Sequence, residues 1–264
     1  MAFSVGFLRD DVFPIVGTEL LRRFLVSTSV LPTGCLALDR LLDGGLLAGD
    51  VVELVGSTAT GKTQLCLLLC AVACSRDSQC ALYIDCNANF SGVRLRQLVP
   101  EVDEAKVNDV LRRVRCIEAH GIFRVIEILE EVGTKMIQIP SDSFYDNLKL
   151  IIIDSVAAVT SPILGGQQIQ GHKLMMDMAR LFKILATEFN LIVMCTNNVV
   201  YGNDGEVRPS LGKTWSHVPS TRLLLEMTSS RRTASITKSS RVKAPSEKVE
   251  FFICEKGFSC REEN

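Results

Sequence analysis

The residues best suited to chemistry lie in one short run, Gly56-Ser57-Thr58-Ala59-Thr60-Gly61-Lys62-Thr63. The run satisfies G-x-x-x-x-G-K-[S/T] at every position, the signature of a phosphate-binding loop. Its glycines and small residues let successive backbone N–H groups turn inward, and that concave nest fits a phosphate. Lys62 supplies a charge that can reach the β and γ phosphates, and Thr63 a hydroxyl that can ligate Mg²⁺. Further along, Asp154 closes the apolar run LKLIIID, where an acid can hold the magnesium shell. Asp85 closes ALYID in the same way; it reads equally as a site acid or as a cap. Thr196-Asn197-Asn198 ends another apolar run. Asn198 there faces the space where a γ-phosphate or its attacking water would lie, although strand-end asparagines also cap turns.

These groups need elements to hold them. VVELVG reads as a buried strand before the loop, and GKTQLCLLLCAVACS as the helix after it, whose N-terminus adds a dipole favourable to an anion. ALYID is the next strand, followed by a helix over Val93–Val99, a charged amphipathic stretch over Asp103–Val114, and Val114–Glu118 as a further strand. Gly121–Val132 and Gly171–Thr187 have helical periodicity, LKLIIID and LIVMCTN read as strands, and TRLLLEM, ASITKSS and KVEFFIC follow as strands without helices between them. Strand–helix alternation followed by a run of strands predicts an α/β fold: a mostly parallel central sheet flanked by helices, with an antiparallel C-terminal extension. Residues 1–30 form an appendage with a short helix around Thr18–Leu25, 31–258 the core, and 259–264 a tail.

Composition narrows the class. The chain has 264 residues, and 29 Lys plus Arg against 30 Asp plus Glu leave a formal charge of -1, which excludes a bulk polycation but not a local basic surface. Ten cysteines could suggest disulfides, but Cys66, Cys70 and Cys74 recur along one helical face, so the thiols read as mostly reduced core residues. Without a C-x-x-C pair, and with three histidines, a zinc cluster is not expected. The N-terminus lacks the basic start of a secretory signal, and the most apolar segments are too short or interrupted to span a bilayer, so a soluble protein without membrane contact is expected.

Together these residues resemble the RecA-like recombinase core, in its eukaryotic strand-exchange branch, from about Leu31 to Gly257. TGCLALDRLLDGGLLAGDVVELVG resembles the lead-in to that family's phosphate loop; LGGQQIQG, RPSLGKTW and VPSTRLLLE narrow the resemblance to the branch's recombination-repair paralogues. The resemblance implies a P-loop NTPase core with ATP and Mg²⁺ as cofactors, ATP on Gly56 to Thr63 and magnesium at Thr63 and Asp154. It places Arg94 near the adenine. It makes Pro162 to Gly171, with Gly165, Gly166, Gln167 and Gln168, a first DNA-binding loop, and Asn203 to Lys213, with Arg208 and Lys213, a second. Arg241 belongs to a later basic stretch offered as a further DNA contact. From spacing alone these positions read equally as a solvated hairpin, and Trp215 as a core or interface anchor instead of a stacking platform.

Two departures from the family pattern bear on catalysis. Asn87 stands where active members carry the glutamate that activates water; an amide can orient water but cannot take its proton. Asn198 stands where they carry a longer glutamine that couples nucleotide to DNA. Firm ATP and Mg²⁺ binding with weak DNA-dependent hydrolysis is expected. So is a role in homologous recombination repair of double-strand breaks, in a hetero-oligomer with other recombinase paralogues on single-stranded or branched DNA. The nucleus is the expected location, with the cytoplasm as a second. Residues 1–30 match the linker that follows the family's small helical domain, so the chain reads as a short form without it. The rival readings are an autonomous P-loop enzyme and a non-enzymatic scaffold with a vestigial nucleotide site.

Overall fold

A computed structural model describes residues 16–19, 29–76, 78–100, 103–138, 143–164, 168–202, 207–229, 231–243, 247–255 and 257–260. Residues 17–19 are helical, and the rest of the helix expected over Thr18–Leu25 lies outside the described residues. The lead-in folds as Val30–Leu31 (β1), Leu36–Leu41 (α1) and Leu46–Leu47 (β2), with β1 and β2 paired antiparallel. This closure needs Gly45: at its φ of +132° a Cβ would lie 2.4 Å from the Leu31 carbonyl oxygen.

The alternating units follow. Val51–Gly56 (β3) leads through the phosphate loop to Lys62–Cys74 (α2), then Cys80–Asp85 (β4), Gly92–Leu98 (α3), Glu104–Arg112 (α4) and Val114–Glu118 (β5). Next come Ile122–Ile137 (α5), Ser143–Asp146 (α6), Leu148–Asp154 (β6), Val156–Leu164 (α7), Gln168–Phe189 (α8) and Ile192–Asn197 (β7). Val199–Tyr201 (β8) and Val207–Pro209 (β9) make a separate antiparallel hairpin, followed by Gly212–Trp215 (α9). Thr221–Thr228 (β10), Arg231–Lys238 (β11), Val249–Cys254 (β12) and Gly257–Cys260 (β13) complete the order. The last strand places residues 259 and 260 inside the sheet, not in the expected tail.

The central sheet runs β13-β12-β11-β10-β3-β7-β6-β4-β5. From β10 to β5 all neighbours are parallel, and β10 through β13 are antiparallel. This is the α/β class expected from the sequence, a mostly parallel sheet flanked by helices with an antiparallel C-terminal extension. Its central strands are apolar throughout because both faces are covered. Alternate residues divide accordingly: Tyr83, Ile152 and Met194 join the core under α1 to α4, while Ile84, Ile153 and Cys195 join the core under α5 and α8.

Cys66, Cys70 and Cys74 are fully buried on α2, and burial raises their thiol pKa values, Cys74 to about 12. The reading of reduced core cysteines fits these three but not every cysteine. Cys35 and Cys260 form a disulfide across a sequence separation of 225. Local spacing could not show this pair, because only the folded chain brings edge strand β13 to the start of α1. Among the described residues no helix is long and apolar enough to cross a membrane, and no cluster of His, Cys, Asp and Glu is placed to hold a metal.

Candidate functional site

The phosphate loop is cradled where β3 ends and α2 begins. Gly56 cannot carry a side chain, since a Cβ would lie 2.6 Å from both the Leu225 carbonyl oxygen and Thr60 Oγ1. Ala59 (φ 65°) and Gly61 (φ 111°) turn the backbone through the left-handed region, and the Thr60 hydroxyl donates to the Ser57 carbonyl at 2.9 Å. Lys62 arches over its own loop, its Nζ donating to the carbonyls of Gly56 (2.6 Å) and Ser57 (2.9 Å). Burial pushes the Lys62 pKa down, and the Asp154 carboxylate opposes that shift.

Thr63 and Asp154 meet although 91 residues separate them: the Thr63 hydroxyl donates to Asp154 Oδ2 at 2.6 Å. Tyr83 donates to the same oxygen at 2.7 Å, and Thr196 donates to Oδ1 at 2.6 Å. Three hydroxyls from α2, β4 and β7 therefore fix a carboxylate that is 3% exposed. Burial raises the Tyr83 pKa, so its hydroxyl stays protonated and a donor. A hydroxyl and a carboxylate held together are a hard oxygen donor set, which fits Mg²⁺. Tyr83 escaped sequence reading; the only signal was a polar tip at the α2-facing position of an otherwise apolar strand.

Asp85 has a different task from Asp154. Its Oδ1 accepts from the N–H groups of Asn87 and Asn89 and its Oδ2 from that of Phe90, so it organises the loop after β4. That loop carries Asn87, whose Nδ2 donates to Ser155 Oγ at 3.3 Å, next to Asp154. Arg94 spans α3 and the C-terminal hairpin: it donates to Gln64 Oε1 at 2.7 Å and to the carbonyls of Cys254 (2.6 Å) and Glu255 (2.7 Å).

Asn198 is exposed at the end of β7, its backbone N–H bonded to the Asn197 side chain at 2.8 Å. Asn197 itself is buried and donates to Glu53 Oε1 at 2.8 Å, while its Oδ1 accepts from Ser210 at 2.7 Å. Glu53, fully buried in β3, also pairs with Arg222 and accepts from Trp215 Nε1. Trp215 is therefore a core anchor: it is 0% exposed, with Phe182 edge-on at 6.1 Å. The network bolts the base of the β8–β9 hairpin to the sheet, and the hairpin's other end reaches the cradle, where Tyr201 and Ser57 share a hydroxyl–hydroxyl hydrogen bond at 3.3 Å.

The nucleic-acid candidates divide. Arg208 lies on β9 opposite Val200, and Lys213 on α9; both are exposed. Arg241 does not join them. Its guanidinium donates to the Leu42 and Gly45 carbonyls, and the pairing of Arg222 with Lys238 puts the end of β11 at the amino ends of the parallel strands, away from the phosphate loop. Arg241 is a structural clamp because the turn after α1 leaves carbonyls that need donors. Gly165, Gly166, Gln167 and residues 203–206 lie outside the described residues, and of Gln168 only its place at the start of α8 is described. Most of the expected first loop is helical, since α7 runs through Pro162 to Leu164 and α8 begins at Gln168. A cleft of about 400 Å³ lies away from the cradle, lined by Lys183, His217, Pro219 and Lys238 among others.

A phosphate cradle between β3 and α2, tied through Thr63 to an acid at the end of β6, defines a P-loop protein with the RecA-type sheet order. The family model described as Rad51 matches residues 24–260, and the chain belongs to the Rad51 family. It is 40% identical over 242 residues to DNA repair protein RAD51 homolog 4 of Bos taurus, covering 88% of this chain and 74% of that protein. The Mus musculus protein of the same name is 41% identical over 241 residues, covering 88% and 73%. DNA repair protein RAD51 homolog 2 of Mus musculus is 30% identical over 258 residues, covering 81% and 71%.

Proposed function

We propose that this chain is an ATP-binding recombinase paralogue that supports homologous recombination repair of DNA double-strand breaks in the nucleus. It assembles with other paralogues on single-stranded DNA and hydrolyses ATP weakly. The contact of Thr63 with Asp154 carries the nucleotide part of this reading, because it joins the phosphate loop to the acid that a magnesium–phosphate complex needs. Lys62 and the loop N–H groups would hold the phosphates, and Thr63 and Asp154 the metal, which when bound would supply positive charge to neutralise the phosphates. Asn87 can orient water there but cannot deprotonate it, which supports weak turnover. The names of the relatives support the repair role.

Capture of the chain with other recombinase paralogues, with and without Mg–ATP, tests the reading beside Lys62→Ala. The expected result is nucleotide-dependent capture by the unmodified chain, lost in the variant. Capture that ignores both ATP and the substitution would establish the scaffold reading instead. DNA binding by the assembly should weaken steeply with salt, as phosphate contacts release counterions.

A further inference from the structure

The C-terminal hairpin, β12 and β13, is an edge element that touches the nucleotide cradle. β13 is the outermost strand, four residues long and paired only with β12. Yet the hairpin roofs the loop: a Cβ on Gly61 would meet Ile253 Cδ1 at 2.8 Å and the rings of Phe258 and Phe251 at 3.5 and 3.6 Å. Any outward movement of the hairpin therefore opens space at the junction of the loop with Lys62. Besides the β11–β12 ladder, three side-chain fastenings oppose that movement. Phe251 and Phe258 stack at 4.8 Å against the core, Arg94 holds the carbonyls of Cys254 and Glu255, and Cys260 is bonded to Cys35 at the start of α1. Only the third can be made and broken chemically.

We infer that the Cys35–Cys260 disulfide is a redox-operated fastening of this hairpin, so that the state of one cysteine pair sets how firmly the cradle holds a nucleotide. Disulfides in reducing compartments are characteristically transient and redox-sensing. Cys35 is buried, but Cys260 is partly exposed, so a small thiol reaches the bond from the Cys260 side. Cys66 and Cys70 are buried, and burial raises their pKa values well above the usual thiol range, whereas Cys254 on the same hairpin is free and exposed, so the state of each cysteine has to be read separately. In closing, the Cys260 thiolate attacks a low-molecular-weight disulfide such as oxidised glutathione and expels one thiol. The Cys35 thiolate then displaces the second. Two protein thiols become one disulfide, and the oxidant is reduced to two thiols; excess thiol reverses both steps.

The functional half of this inference rests on the ATP reading above, so the test separates the two. The full chain is equilibrated with oxidised glutathione or with dithiothreitol. Alkylation at each cysteine is read by mass spectrometry, amide exchange over residues 249–260 is followed, and Mg–ATP affinity is measured. In the oxidised sample Cys35 and Cys260 should resist alkylation. Reduction should speed exchange in the hairpin and weaken ATP binding about five-fold or more. Cys260→Ser, at the partly exposed position, should show the reduced values in both buffers. Full alkylation of both cysteines under oxidising conditions, or identical exchange and affinity in the two states, would overturn the fastening. If neither state binds ATP, the nucleotide reading fails, and the exchange data alone decide the fastening.

Discussion

The indole N–H of Trp215, in helix α9, donates to Glu53 Oε1 in strand β3 at 2.7 Å, and both residues are 0% exposed. Glu53 is also the counter-charge of Arg222, whose side chain is 11% exposed. Glu53→Gln leaves that guanidinium buried without its anion and should cost about 3–5 kcal/mol. Trp215→Phe removes a single donor and should cost about 1–3 kcal/mol. Denaturant melts followed by circular dichroism give both values, and equal costs would show that the ion pair matters no more than the indole hydrogen bond.

Asn87→Glu should raise ATP turnover. The side chain reaches Ser155 beside Asp154, so a carboxylate there would sit where an attacking water is to be deprotonated. A positioned general base contributes about 10²–10⁴-fold, and phosphate release in the assembled complex should rise by at least about ten-fold. Unchanged turnover would mean that the amide is not what limits hydrolysis.

Gly61→Ala should destabilise the fold by about 1–3 kcal/mol, from strain at a positive φ and from crowding against Ile253. Adding Ile253→Val should return the crowding part but not the backbone part. Full recovery in the double variant would show that the φ of 111° carries no cost.

Asp50 gives a pH dependence of known sign. Burial raises its pKa, against the lowering effects of Ser220, Arg241 and Thr221. The folded state thus holds the proton more tightly than the unfolded chain. Its contribution is most favourable below the ordinary carboxylate range and is lost as pH rises through the raised folded-state value. Asp50→Asn should remove this component, leaving a flatter stability profile between the carboxylate range and neutrality. A profile unchanged in shape would contradict it.

Much of the candidate site could be read from the sequence because its signals are local. The phosphate loop is contiguous, and LKLIIID and LIVMCTN are apolar on both faces because helices cover both sides of the sheet. What escaped depends on which strands become neighbours. Tyr83, which has no part in the sequence reading, and Thr196, which is already a candidate there, meet at Asp154 only because β4 and β7 flank β6. Arg241 looked like a DNA contact by charge, and the fold directs that charge to the carbonyls of Leu42 and Gly45. Asp85 and Asp154 sit in register on adjacent strands, yet one meets backbone N–H groups and the other hydroxyls. Both acids end strands, and the sequence leaves only Asp85 open between a site acid and a cap.

Trp215 is the chain's only tryptophan, and its place has an optical consequence. All indole emission comes from one dry position bonded to Glu53, so the native spectrum is a single-site signal without labelling. Its helix follows directly from the β8–β9 hairpin, and Lys213 shares that helix. A ligand on the hairpin that leaves the emission unchanged has bound without disturbing the sheet. A ligand that shifts the emission has loosened the indole from its carboxylate, and the colour of the light reports which has happened.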